Sequence, residues 1–357
     1  MSKVKSPSAR PNLLRRLVKS PNFGWNLFLI ILLVAEFVVF GLKNPRFLAV
    51  DQLLKNANTY VLPVCYISIF VTFVMITGGI DIQAGSIVGL TSILIGIFWQ
   101  ELSMNVWVAV AFALVIAGLC GALTGFIISY CRVQAMVATL GGSFLYKGLA
   151  LLVAQLFGIQ VYNGLKIESD SFKAFTKYKL FDAIPLQIVL LLLLIVAAWF
   201  LLHRSKYGRK IYLVGVNPSA AEYSGVNTRA VTMSTYVLTG LAAGITGVFM
   251  TSFLSSSAKP DYGNDLTMSI ITACVLGGTL STGGKGSVLG TALAAIFIGY
   301  LRYGLFLCFN VDKSLLDIPV GLMLVFVMVA RAVFSNGAVI AFFAGLRDKL
   351  IPKKKAA

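Results

Sequence analysis

Two carboxylates stand where carboxylates are costly. Glu36 lies well inside an apolar run that begins near residue 24, and Asp81 lies between two such runs, in Gly78-Gly79-Ile80-Asp81-Ile82-Gln83-Ala84-Gly85-Ser86. An ionisable group in that setting needs a partner, water, or a task such as proton relay. A helix ending at Thr77 can stop on Gly78 or Gly79, where left-handed backbone costs little, and Asp81 can then cap the next helix by accepting its free amides. That reading accounts for the carboxylate without chemistry. A second is compatible with it: a broken helix is tolerated in a membrane only where it faces protein or water, which makes Gly78, Gly79, Asp81, Gly85 and Ser86 candidates for a solute path or its gate. For Glu36, an interhelical contact and a functional role both stay open.

Two other segments carry a pattern. In Gly215-Val216-Asn217-Pro218-Ser219-Ala220-Ala221-Glu222-Tyr223-Ser224-Gly225-Val226, Asn217 suits an N-cap, Pro218 the first helical position and Gly225 the position past the end, which predicts a helix of about two turns. Such a short capped helix is either a knob for a groove on a soluble partner or a surface helix packed on its own bundle. Arg204, Lys206, Arg209 and Lys210 precede it and belong near lipid headgroups. The segment Gly277–Ser287 (GGTLSTGGKGS) looks like a phosphate cradle, but the P-loop needs Gly where Thr279 stands and Ser or Thr where Gly286 stands. A tight turn between two spans fits better, with Gly277 and Gly278 as further path candidates. Lys147 and Arg302 also fall within apolar runs. One histidine, His203, and five scattered cysteines predict no metal site, and no cofactor is expected.

The elements that position these residues follow from composition. Of 357 residues 58% are hydrophobic and 12% charged, and the mean hydropathy is +0.88. The expected fold is all-α and polytopic in a membrane, since a span takes about 20 apolar residues in a helix that satisfies its own backbone. Runs at 24–42, 60–77, 84–99, 106–130, 136–158, 184–203, 231–251, 267–281, 288–308 and 315–332 predict about ten spans. The third and eighth are short enough to be half-helices or re-entrant. With the N-terminus inside, 19 Lys and Arg fall in inner segments and nine in outer loops, so both termini are expected in the cytoplasm. The same distribution assigns the net charge of +17 to membrane topology and not to nucleic acid. The domain reading is a basic N-terminus (1–23), one membrane domain (24–332), and an interfacial helix with a basic tail (333–357). GGIDIQAGSIVG (78–89) and GGTLSTGGKGSVLG (277–290) echo one another, either as an internal repeat or as chance likeness of Gly-rich segments.

GGIDIQAGS, the inner loop GRKIYLVGVNPSAAEYSGV and the late stretch ACVLGGTLSTGGKGSVLGT, in this order, resemble the ribose-type sugar permeases of bacterial ATP-binding-cassette importers, over about residues 24–332. The resemblance implies a ten-span permease in the inner membrane that performs no chemistry. It implies a periplasmic solute-binding protein outside, a duplicated-cassette ATPase inside, and a second permease subunit that is either a copy or a related chain. It further implies that the short inner helix couples to the ATPase, with Asn217, Ala220, Ala221, Glu222, Ser224 and Gly225 at the contact. The solute would be a sugar or sugar-like molecule. A proton-coupled secondary transporter is the rival class, for which only Glu36 and Asp81 are available as intramembrane carboxylates. A membrane-embedded enzyme lacks any His, Cys or paired-carboxylate constellation.

Overall fold

The computed structural model describes residues 23–335, apart from 160–162, 181–183, 255–256 and 313–314. Most of the basic N-terminus and nearly all of the expected interfacial helix and tail lie outside the described residues. In chain order the helices are α1 (Phe23–Lys43), α2 (Val50–Asn56), which runs through a π-helical turn (Ala57–Val61) into α3 (Leu62–Ile76), α4 (Ala84–Gln100), α5 (Val106–Ser129) and α6 (Ala135–Leu156). They continue as α7 (Asp170–Lys177), α8 (Leu186–His203), α9 (Lys206–Val216), α10 (Pro218–Tyr223), α11 (Thr228–Phe253), α12 (Leu266–Leu276), α13 (Val288–Phe309) and α14 (Asp317–Ser335). Four two-residue strands form two antiparallel pairs: β1 (Leu165–Lys166) with β4 (Ser257–Ala258), and β2 (Lys179–Leu180) with β3 (Ile184–Pro185).

Local chemistry sets the helix starts. Asn105, Ser205, Asn227 and Ser287 each accept an amide of the first turn that follows them, and Pro63, which has no N–H to donate, comes just after the π-helical turn that leads into α3. Among the described residues, seven helices are long and apolar enough to cross a membrane. The expected third, eighth and tenth spans are the shorter apolar helices Ala84–Gln100, Leu266–Leu276 and Asp317–Val329. Length alone therefore carries seven of the ten expected crossings.

The core is helix on helix. α3 is buried along almost its whole length, and α11 packs against α3, α4 and α5. Within lipid the hydrophobic effect does not drive helices together, so close backbone approach and interhelical hydrogen bonds must. The α5–α11 crossing meets that need with glycine. A methyl group on Gly121 would strike the Tyr236 carbonyl, and one on Gly244 would come within 2.8 Å of the Ala117 methyl. Thr251 of α11 likewise donates its hydroxyl to that of Ser92 on α4, at 2.7 Å.

Candidate functional site

The two glycine segments end their helices in the same way. After α3, the amide of Gly78 donates to Met75 and that of Gly79 to Val74, both at 3.0 Å; after α12, Gly278 donates to Val275 at 3.1 Å and Thr279 to Cys274 at 3.0 Å. Gly78 (φ 87°) and Gly278 (φ 102°) take the left-handed backbone that this cap requires. The sequence echo thus corresponds to one cap geometry used twice. α3 lies beside both α12 and α13: the Cys274 thiol of α12 donates to the Ser68 carbonyl at 3.2 Å, and the Thr72 hydroxyl is 2.7 Å from that of Thr291 on α13.

These ends converge with a third segment. The amide of Gly284 donates to the Ile76 carbonyl at 2.8 Å. Gly215, near the end of α9, presses on that same carbonyl where any side chain would collide with it. A methyl group on Gly283 would lie 3.0 Å from the Gly78 amide, and the Tyr212 hydroxyl of α9 donates to Gly286 at 2.8 Å. The end of α3, the turn after α12 and the last turn of α9 form one glycine junction. α10 follows directly from α9 at this junction.

α10 has the expected caps. Asn217 accepts the Ala220 amide at 3.0 Å, Pro218 opens the helix, and Gly225 (φ 78°) closes it. Asn217, Ala220, Glu222, Ser224 and Gly225 are exposed. Ala221, expected beside them at a partner surface, is instead 3% exposed and packs into the chain's own core. Tyr223, 93% exposed, was not expected and stands out furthest.

Residues 77–83 form the break between α3 and α4. Asp81 is 2% exposed and its Oδ1 accepts the Gln83 amide at 3.0 Å. It turns the chain into α4, but Gln83 occupies the cap position itself. Thr139 of α6 donates to the Ile80 carbonyl at 3.1 Å, and Thr124 of α5 donates to the Gln83 side chain at 2.7 Å. Asp81 Oδ2, Gln83 Nε2 and the Tyr236 hydroxyl are buried without a partner among the described residues. Tyr236 lies over Gly79, where a side chain would displace it. Ser86 shares a 3.1 Å hydrogen bond with Ser143.

The eighth expected span is a half-helix. Eleven residues of α12 rise about 16 Å, roughly half of a hydrocarbon core. The missing half is irregular backbone: side chains on Gly96, Gly89 and Gly85 of α4 would collide in turn with Ala258, Pro260 and Gly263. Residues 258–263 therefore run beside α4 for about 16 Å of its length before α12 begins. Non-helical backbone at that depth survives only when buried in protein or beside water, and half-helices of this kind are a mark of transporters. Arg302 of α13 (9% exposed) secures the start of α12, donating to Ser269 at 2.9 Å and to Asp317 of α14 at 2.8 Å.

Gly277 packs against Gly290 at the α12–α13 crossing. Gly78, Gly79, Asp81, Gly277 and Gly278 thus gather at or beside the junction, with Gly85 and Ser86 one turn into α4. Glu36 does not join them. It is 7% exposed on α1, within electrostatic reach of Tyr300, and neither of its oxygens has a partner among the described residues. Gly215, Gln83, Tyr236 and Tyr223 belong to the site as well; Gly215, Gln83 and Tyr223 fall within the patterned segments of the sequence, whereas nothing there points to Tyr236.

A helical bundle with a broken helix pair, a half-helix and an exposed capped knob is the architecture of a membrane permease. The sequence pattern described as "branched-chain amino acid transport system / permease component" matches residues 53–328, and the chain belongs to that family. It is 37% identical to the autoinducer 2 import system permease protein LsrD of Klebsiella pneumoniae, over 87% of this chain and 92% of that protein. It is also 37% identical to LsrD of an Enterobacter species (87% and 93% covered) and 34% identical to LsrD of Escherichia coli (87% and 93% covered). No solved structure matches the chain.

Proposed function

We propose that the chain is the translocating subunit of an ATP-driven importer that carries autoinducer 2, a small sugar-like solute, across the inner membrane. The glycine junction carries the reading: Gly215 and the Gly284 amide both bear on the Ile76 carbonyl, so the segment leading into α10 touches the helix ends that form the break. A displacement of α10 by an ATPase would be passed to α3 and α12 without an intervening side chain.

In this reading α10 docks on a duplicated-cassette ATPase through Asn217, Ala220, Glu222, Tyr223, Ser224 and Gly225, while Ala221 anchors the knob. A solute-binding protein delivers its cargo at the opposite end, where β1–β4 and α7 lie. Both termini are cytoplasmic, and Arg204, Lys206, Arg209 and Lys210 meet lipid headgroups beside the knob. A second permease subunit, a related chain by analogy with the D-type relatives, completes the path.

Affinity purification from membranes in mild detergent tests the assembly. Recovery of a two-cassette ATPase with a second, different permease is the expected result. Recovery of no ATPase, in detergent that preserves a known importer, would overturn it.

A further inference from the structure

Lys147 stands at an anomalous place. It lies 12 residues from the start of α6 and nine from its end, which puts it about 18 Å and 14 Å from the two helix ends. It is exposed, and it makes no ion pair among the described residues. The face around it is apolar and open: Leu140, Phe144 and Leu151, at helical spacing with it, are 43%, 71% and 37% exposed. A half-thickness of hydrocarbon is about 15 Å, so a lysine at this depth that faced lipid would hold its ammonium far from the headgroups. Intramembrane cations turn to protein or to water.

This chain has little to neutralise Lys147 with, and a carboxylate of a different second permease subunit would instead shield the face from an impermeant thiol reagent. Glu36 and Asp81 are 7% and 2% exposed, and the other described carboxylates lie in connecting segments, in the first turn of a helix, or on α10. α6 also reaches the break directly, through the contacts of Thr139 with Ile80 and of Ser143 with Ser86. Any water beside α6 would therefore lie next to the break between α3 and α4.

We propose that the Lys147 face of α6 lines the water-filled path of the assembled permease, and that its ammonium is a fixed positive charge that excludes cations while neutral or anionic solutes pass. The inference rests on the permease reading for what the path conducts, but not for where the water lies. A single positive group in a narrow wet pore raises an electrostatic barrier to protons and metal cations.

The test uses the complete importer, with the five native cysteines replaced by serine or alanine and uptake verified. Lys147→Cys and, separately, Phe144→Cys are exposed to a membrane-impermeant methanethiosulfonate. Val196→Cys, exposed on the uncharged helix α8, and the exposed Lys285→Cys serve as apolar and aqueous references. Both α6 positions are expected to react at least about tenfold faster than position 196. Phe144→Cys keeps Lys147 in place and reads the same face if the lysine variant is poorly folded. Lys147→Gln in proteoliposomes is expected to raise proton leak about tenfold, with Lys147→Arg near wild type. Positions 144 and 147 reacting as slowly as position 196, while position 285 reacts, would overturn the proposal, as would a Lys147→Gln importer with no added leak. Neither outcome depends on ATP, so either is separable from a failure to recover the ATPase.

Discussion

The Gly284 amide and the Ile76 carbonyl, 208 residues apart in sequence, are joined by a 2.8 Å hydrogen bond that closes α3 onto the turn after α12. Gly215 touches the same carbonyl from a third direction. The Ile76 peptide is thus the point at which the knob and the two broken helices meet.

Gly215→Val follows from this contact. A side chain there overlaps the Ile76 carbonyl, and relieving such overlap costs about 1–3 kcal/mol. Uptake is expected to fall about tenfold or more while the assembled complex still hydrolyses ATP. Paired uptake and phosphate-release assays on the same proteoliposomes would check this.

The two sides of α10 should respond differently. Glu222→Ala alters an exposed side chain and is expected to uncouple hydrolysis from uptake with normal insertion and thermal stability. Gly225→Val adds backbone strain of about 1–2 kcal/mol at φ 78°. Ala221→Asp buries a charge at a position 3% exposed and should lower the unfolding temperature. The contrast is read by thermal unfolding in detergent beside the coupling assay.

Arg302 and Asp317 should be unequal partners. The arginine side chain is 10% exposed and the aspartate 50%. Arg302→Met forfeits the hydrogen bond to Ser269 but removes the buried charge itself and leaves Asp317 half in solvent, so it is expected to cost less, about 1–2 kcal/mol. Asp317→Asn leaves the buried Arg302 guanidinium without its counter-charge and should cost roughly 3 kcal/mol or more. Denaturant or thermal unfolding of the two variants gives the order.

Gly89 tests the re-entrant segment. A side chain there meets the Pro260 carbonyl, so Gly89→Val should displace residues 258–263 and abolish uptake. Raised proteolysis between β4 and α12 is the expected signature. The transport loss should appear even in cells where the variant accumulates normally.

Glu36→Gln separates the importer from a proton-coupled carrier. Glu36 lies on α1, apart from the junction, so the substitution should leave the pH dependence of uptake unchanged. Loss of that dependence in a folded variant would favour proton coupling.

Much of this was legible in the residues because it is local. The caps of α10 depend on Asn217, Pro218 and Gly225 alone, and the break at Gly78–Gly79 announces itself between apolar runs. The shortness of the eighth run was visible as well, although its non-helical first half was not. Convergence was out of reach: the packing of Gly215 on Ile76 and of Tyr236 over Gly79 depends on tertiary placement, which periodicity does not encode. The resemblance sets Ala221 at the partner contact, and a two-turn helix pattern holds no rotation about its own axis that would turn it inward. Lys147 was visible as a charge in a span, but only the fold turned it outward.

Site-specific photocrosslinking from position 223, in membranes of cells expressing the whole importer, tests the central claim most directly. Tyr223 is 93% exposed at the tip of the knob. The account predicts a covalent adduct with the ATPase whose yield changes when ATP is trapped. An ATPase that copurifies with the chain but never crosslinks from this position, with or without nucleotide, would contradict it.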